Sequence, residues 1–249
     1  MSCLVIKNDG IGDIVLFSGL LTSIASEFDG NVDLVTRKEN AKIANLISGV
    51  RNVFFAERDQ VSEETQALLR KQSKYDYAIV PRRFIRKSVF SVMQNISAEK
   101  KFCCWQYPTN LTMEKAETGS KGWKRIQGTH SSISELNYLQ GFCQTVLGCE
   151  LDPTPRLNLD DSNDHKQPNP SKKRIGICLG GASSRWPYLH WLELLDGLVS
   201  KGLTPVLFGT KTEFMVAEKL VSKINPVESY VGKLSLIETI TAFRQLHCV

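Results

Sequence analysis

Asp13 closes a glycine turn in the stretch "IKNDGIGDIVLF", residues 6–17, where an apolar run stops and an apolar helix pattern begins. A carboxylate at that place has two readings. It caps the helix, a contribution of about 1 kcal/mol, or it projects a base into a cleft, with Gly10 and Gly12 letting a ligand approach the backbone. Helix N–H groups beside it favour its charged form, so as a reacting group it is a base rather than an acid. The turn is not a dinucleotide fingerprint, since GxGxxG needs glycine where Val15 stands, and no GK[ST] follows to make a P-loop.

Three other clusters sit where loops follow strands. "GGASSRWP", residues 180–187, sets Gly181, Ala182, Ser183, Ser184 and Arg185 directly before a helix. Backbone N–H groups and a cation there suit a phosphate or diphosphate; the plainer reading is a tight turn with a solvated arginine. Gly209 and Thr210 begin a loop that ends at Glu213, at the opening of a helix. That acid either complements the helix dipole or accepts hydrogen bonds from ribose hydroxyls. "PRRFIRK", residues 81–87, concentrates Arg82, Arg83, Arg86 and Lys87 after a strand. It is a solvated face or a grip on an anionic acceptor; its aromatics are not interleaved as nucleic-acid binding requires.

The elements that would position these groups alternate. Strands are expected at Cys3–Ile6, Val32–Val35, Val53–Phe55 and Tyr77–Val80. Helices are expected after the glycine turn (Ile14, Phe17, Leu21, Ile24, Phe28), near Asn40–Ile47, at Ser62–Gln72 and Arg86–Asn95, and around Leu136–Val146 with Gly148 ending it. Residues 152–173 break the rhythm with four of the nine prolines and read as a linker. Beyond it come strands Arg174–Leu179, Thr204–Phe208 and Val227–Val231, and helices from Pro187, over Glu213–Ile224 and from Ser235 to about Leu246. Strand–helix alternation on both sides of the linker predicts an α/β protein of two Rossmann-like domains with parallel sheets, 1–151 and 174–249, the second with only about three strands.

With 249 residues, 42% of them hydrophobic, the chain has ordinary globular composition. No apolar run reaches the roughly 18 residues of a membrane span, and the N-terminus lacks a signal-peptide pattern. Seven scattered cysteines without CxxC pairing read as reduced thiols of a cytoplasmic protein, and neither they nor the four histidines have zinc-ligand spacing. A net charge of +5 fits an anionic substrate or an acidic membrane surface without singling out either.

The ordered motifs resemble glycosyltransferase family 9, the ADP-heptose:lipopolysaccharide heptosyltransferases. "VIKNDGIGDIVLFSGLL" is similar to the family's opening. "ICLGGASSRWPYLHWLELLDGL" followed by "PVLFGTKTEFMVAEKL" resembles its second-domain signature, and "THSSISELNYLQGFCQTVLG" a His-containing helix near the end of its first domain. The resemblance implies a GT-B fold, two Rossmann-like domains facing a cleft. It implies inverting transfer of a heptose from a nucleotide sugar, without metal or cofactor, to the anionic lipopolysaccharide inner core, at most with peripheral contact to the inner membrane. Asp13 matches the family's catalytic base, and base assistance of this kind contributes roughly 10²–10⁴ in rate. Gly181–Arg185 would hold the donor's diphosphate, with Gly209, Thr210 and Glu213 near its nucleoside. Gly10, Gly12, Arg82, Arg83 and Arg86 would meet the acceptor. Two departures accompany it. Ser184 stands where the family usually has lysine, and the chain reaches His247–Val249 about where a further strand and an Asp-Ser-Gly…His loop are expected, so the second domain is expected to be incomplete. Two other readings remain: a non-catalytic interaction module that keeps the fold, and a nucleotide-sugar enzyme such as an epimerase.

Overall fold

A computed structural model describes residues 1–57, 61, 63–71, 74–108, 112–126, 134–159, 173–180 and 186–249. The chain divides into two units, 1–159 and 160–249. Residues 152–159, expected as linker, belong to the first.

The first unit is built on six parallel strands, β1 (Cys3–Ile6), β2 (Val32–Thr36), β3 (Val50–Phe55), β4 (Tyr75–Val80), β6 (Ala98–Cys103) and β8 (Lys124–Arg125), in the order β3-β2-β1-β4-β6-β8. A short parallel pair, β5 (Phe84–Ile85) and β7 (Tyr107–Pro108), lies outside this sheet. Strand β1 is central and fully buried, and Val5 lies between Leu34 and Ile79. Burial on both faces is why its sequence, CLVI, is continuously apolar rather than alternating. Helix α1 (Ile11–Glu27) associates with α2 (Ala41–Ala44) and α6 (Glu135–Leu147). Helices α3 (Glu63–Lys71), α4 (Lys87–Asn95) and α5 (Met113–Gly119) associate in turn. A core that joins Leu4, Ile6, Val80, Val89, Met93 and Trp105 links α4 to the sheet.

The expected helix face of α1 is buried through Ile14, Phe17, Leu21 and Ile24. Its Gly19 faces the incoming strap 152–159: a Cβ there would fall 2.0 Å from the Thr154 carbonyl oxygen. The strap is fastened by Arg156 N–H donating to Ser18 Oγ at 2.8 Å and Asn158 N–H donating to the Leu46 carbonyl at 2.7 Å. This fastening ties residues 152–159 to the first unit.

Strands β6 and β8 and helix α5 carry no expectation from the sequence. The middle of β6 is Glu99-Lys100-Lys101, which hides the strand. Pairing with β4 supplies the stability instead, and Lys100 Nζ donates to Tyr77 Oη at 2.8 Å.

The order β3-β2-β1-β4 places a switch point between β1 and β4. The chain leaves β1 toward β2 and leaves β4 in the opposite direction, so the loops at their carboxyl ends diverge and leave a crevice. At another place on the sheet, Asp33 in β2 is wholly buried and receives Tyr75 Oη at 2.7 Å, Arg51 Nη2 at 2.8 Å and Asn52 Nδ2 at 2.9 Å. Burial alone would raise its carboxyl, but these donors outweigh burial and hold it below the ordinary value.

The second unit has three parallel strands, β9 (Arg174–Cys178), β10 (Thr204–Phe208) and β11 (Glu228–Ser229), in the order β11-β10-β9. Helices α7 (Tyr188–Ser200) and α8 (Phe214–Val221) contribute Leu195, Ala217 and Leu220 to a core with Leu207 and Val231. Helix α9 (Leu236–Phe243) packs Phe243 edge-on to Phe208, ring centres 4.8 Å apart. Beside β9, Cys248 forms a single parallel bridge with Ile175. Among the described residues no helix is long and apolar enough to cross a membrane, and no group of three or more His, Cys, Asp or Glu is placed to hold a metal ion.

Asp33→Ala leaves the Tyr75 hydroxyl without its acceptor, and is expected to lower the unfolding free energy by about 2 kcal/mol in urea titrations. Because the Asp33 carboxyl titrates lower in the folded chain than the roughly 3.9 of an unfolded one, its stabilisation is full above that range and fades as pH falls through the folded value. The acid limb of stability should therefore be shallower in the variant.

Candidate active site

The loop after β1 carries Lys7, Asn8 and Asp9, and the loop after β4 carries Arg82 and Arg83. Asp9 joins them. Its Oδ2 meets Lys7 Nζ at 2.6 Å and its Oδ1 pairs with Arg82. Its backbone carbonyl accepts from Arg37 Nε at 2.8 Å and from Asn40 Nδ2 at 2.9 Å. Arg82 also donates to Asn8 Oδ1, and Asn8 Nδ2 donates to Ser88 Oγ at 3.1 Å. Lys7, Asn8 and Arg82 are each at most 3% exposed. Burial would push the Asp9 carboxyl up; Lys7 and Arg82 overcome it and hold the group ionised, below the usual carboxylate range. Burial likewise lowers the Arg82 guanidinium, with Asp9 opposing.

This clamp sets the entry to α1. Gly10 is the residue that caps the helix, in an extended conformation, and Asp13 is the third helical residue. Asp13 Oδ2 accepts the Gly10 N–H at 3.1 Å. Asp13 thus satisfies an orphan donor of the helix end while its side chain stays exposed. The capping and base readings are therefore compatible: one oxygen braces the turn, and among the described residues none takes Oδ1. A side chain at Gly10 would press on Arg37 Nη2 at 3.3 Å, whereas the space beside Gly12 is open.

Asp13 lines a small, partly open pocket together with Lys7, Leu16, Phe17, Glu135, Leu136 and Leu139. Lys7 Nζ sits 5.6 Å above the Phe17 ring. Glu135, the first residue of α6, is ion-paired with Arg83, Nε to Oε2 at 3.2 Å, and the Arg83 guanidinium stacks 4.1 Å from the Tyr138 ring. Burial pushes the Glu135 carboxyl up, and Asp9 and Asp13 add to this while Lys7 and Arg83 oppose it.

The expected acceptor arginines therefore separate. Arg82 is internal and neutralised by Asp9, Arg83 is drawn to Glu135, and Arg86 is half-buried as the residue preceding α4. Glu135, Lys7 and Asp9 were not singled out in the sequence. Lys7 and Asp9 lie inside the quoted opening motif, where an alternation of charges at a strand end was the available signal. Glu135 had none, because it is brought to Asp13 from more than a hundred residues away.

In the second unit Glu213 is buried, 6% exposed, and its Oε2 accepts from Thr210 N–H at 2.9 Å and Thr210 Oγ at 2.6 Å. Side chains at Gly180 or Gly209 would approach this acid at 3.5 Å and 3.3 Å. The loops after β9 and β10 thus both lie against one carboxylate. Gly181, Ala182, Ser183, Ser184 and Arg185 lie outside the described residues.

No family model matches the chain. One curated relative, lipooligosaccharide heptosyltransferase 2 of Haemophilus ducreyi, is 39% identical over 49 residues, which are 18% of this chain and 14% of that protein. Solved structures agree along nearly the whole chain. The Escherichia coli heptosyltransferase WaaC with ADP superposes with TM-score 0.72 at 18% identity, covering 97% of this chain and 78% of that one. The same enzyme with ADP-2-deoxy-2-fluoro heptose gives 0.71 at 18% identity over 99% and 81%. A family 9 glycosyl transferase from Veillonella parvula gives 0.66 at 13% identity over 98% and 74%.

Asp9→Ala strands two buried cations and should cost about 3–5 kcal/mol of stability, measured by chemical denaturation. Asp13→Ala, at an exposed position, should cost far less in the same assay.

Two parallel α/β units, one of them opening with an acid braced across a glycine turn, give this chain the GT-B fold of the family 9 heptosyltransferases.

Proposed function

We propose that the chain is a family 9 glycosyltransferase that moves a heptose from a nucleotide sugar, ADP-heptose in the first instance, to an acceptor hydroxyl of the lipopolysaccharide inner core. The observation that carries this reading is Asp13. It is an exposed carboxylate held by the Gly10 N–H over an open pocket, on a fold shared with transferases solved with ADP and with a fluorinated ADP-heptose.

In this reading the acceptor oxygen bonds to the anomeric carbon as the bond to the diphosphate breaks. The hydroxyl proton passes to Asp13, ADP leaves, and attack opposite the leaving group inverts the centre. The leaving diphosphate falls to Gly181–Arg185 and to the N-terminal end of α7, a thirteen-residue helix whose dipole favours an anion. Glu213 supports the nucleotide by holding the Gly180 and Gly209 loops in register rather than by standing open to solvent. An anionic acceptor accords with the net charge of +5, and the work would be done at a membrane surface without spanning it.

The test is transfer from ADP-heptose to a heptose-free core acceptor by the purified chain. Asp13→Ala should reduce kcat by roughly 10²–10⁴ and leave ADP binding by calorimetry unchanged. Glu213→Ala should weaken ADP binding instead. A well-folded chain that binds ADP yet gives equal, background turnover with and without Asp13 would replace this reading with that of an interaction module. Donor conversion without acceptor would replace it with that of an epimerase.

A further inference from the structure

The pocket beside Asp13 has an uneven supply of charge. Among the described residues, the cation that lines it, Lys7, already holds an acid, its Nζ 2.6 Å from Asp9, and Arg83 Nε lies 3.2 Å from Glu135. Arg83 is further fixed by stacking 4.1 Å over Tyr138, whose hydroxyl donates to the Cys104 carbonyl at 2.6 Å. Among the described residues, the pocket's lining presents two carboxylates, Asp13 and the Arg83-paired Glu135, and an apolar wall of Leu16, Phe17, Leu136 and Leu139. Ionised carboxylates only accept hydrogen bonds. A ligand that satisfies both must donate twice, and one with a C–H face suits the wall.

Glu135 is held for this task. Ser134 caps α6 by accepting the Asn137 N–H at 3.2 Å, which fixes the helix start, and Arg83 orients Oε2.

We propose that Glu135 determines acceptor specificity: its carboxylate takes a hydrogen bond from a neutral hydroxyl beside the one that Asp13 deprotonates, so the pocket admits a diol edge and rejects an anion there. The inference rests on the transferase reading and refines it. The acceptor's acidic groups must lie outside this pocket, and the ring that enters it is uncharged at the position facing Glu135.

The experiment is NMR titration of the full chain and its Glu135→Gln variant with a methyl heptoside, its monodeoxy analogues and its monophosphates. Glutamine keeps the shape of the side chain, and matching thermal midpoints verify the fold. The wild type should bind the parent glycoside and lose roughly tenfold or more in affinity when one particular hydroxyl is removed. Glu135→Gln should show that same loss with the parent but none with that deoxy analogue, and should bind the corresponding phosphate more tightly than wild type does. Equal binding of the parent by both proteins, a uniform loss across all ligands, or no binding of the parent by the wild type would each overturn the assignment. Absence of ADP binding or of turnover counts against the transferase reading separately, because the glycoside titration involves neither.

Discussion

The buried ion pairs of Asp9 are the constraint on which the site depends. A lysine and an arginine lie almost wholly out of water at the ends of two neighbouring strands. Neither position is tenable without an anion, because an uncompensated buried charge costs several kcal/mol. Asp9 supplies it to both, while its backbone carbonyl is tied to Arg37 and Asn40. The divergent loops of the β1/β4 crevice are thus joined by electrostatics. The glycine turn enters α1 in one geometry, and Asp13 can be exposed without being loose. The same clamp explains why the arginine cluster is not simply a positive surface: its first member is a structural counter-ion, and its second is engaged by α6.

Much of the architecture was legible in the sequence. Strand β1 and helix α1 were readable because a doubly buried strand must be apolar throughout and a helix packed on a sheet must repeat at three and four. Gly148, in the left-handed region at φ 72°, ends α6 as its position suggested. Strand β6 was not legible, because its charged centre suppresses the pattern and pairing with β4 supplies the stability. The end of the first unit was misplaced for a related reason. Two prolines and an acid at 152–159 look like linker, yet the stretch is fastened to α1 by backbone groups that leave no compositional trace.

The site was legible in half. The acid at position 13 and the acid at position 213 stood out because each opens a helix after a small-residue loop, and that context is local. Their surroundings are not. Glu135 reaches the first acid through the packing of α6 on α1, and Glu213 is covered by the two loops that carry Gly180 and Gly209. Local spacing identifies candidate groups; which charges remain available to a ligand is decided by partners far along the chain.

The close approach of the strap to Gly19 gives α1 a second duty. The helix whose first turn carries Asp13 is also splinted at Ser18 and Gly19 by the segment through which the chain departs the first unit. Disturbance at Thr154 or Arg156 is then transmitted down a rigid rod to its far tip. A stretch that looks like mere connection thereby braces the helix that carries Asp13.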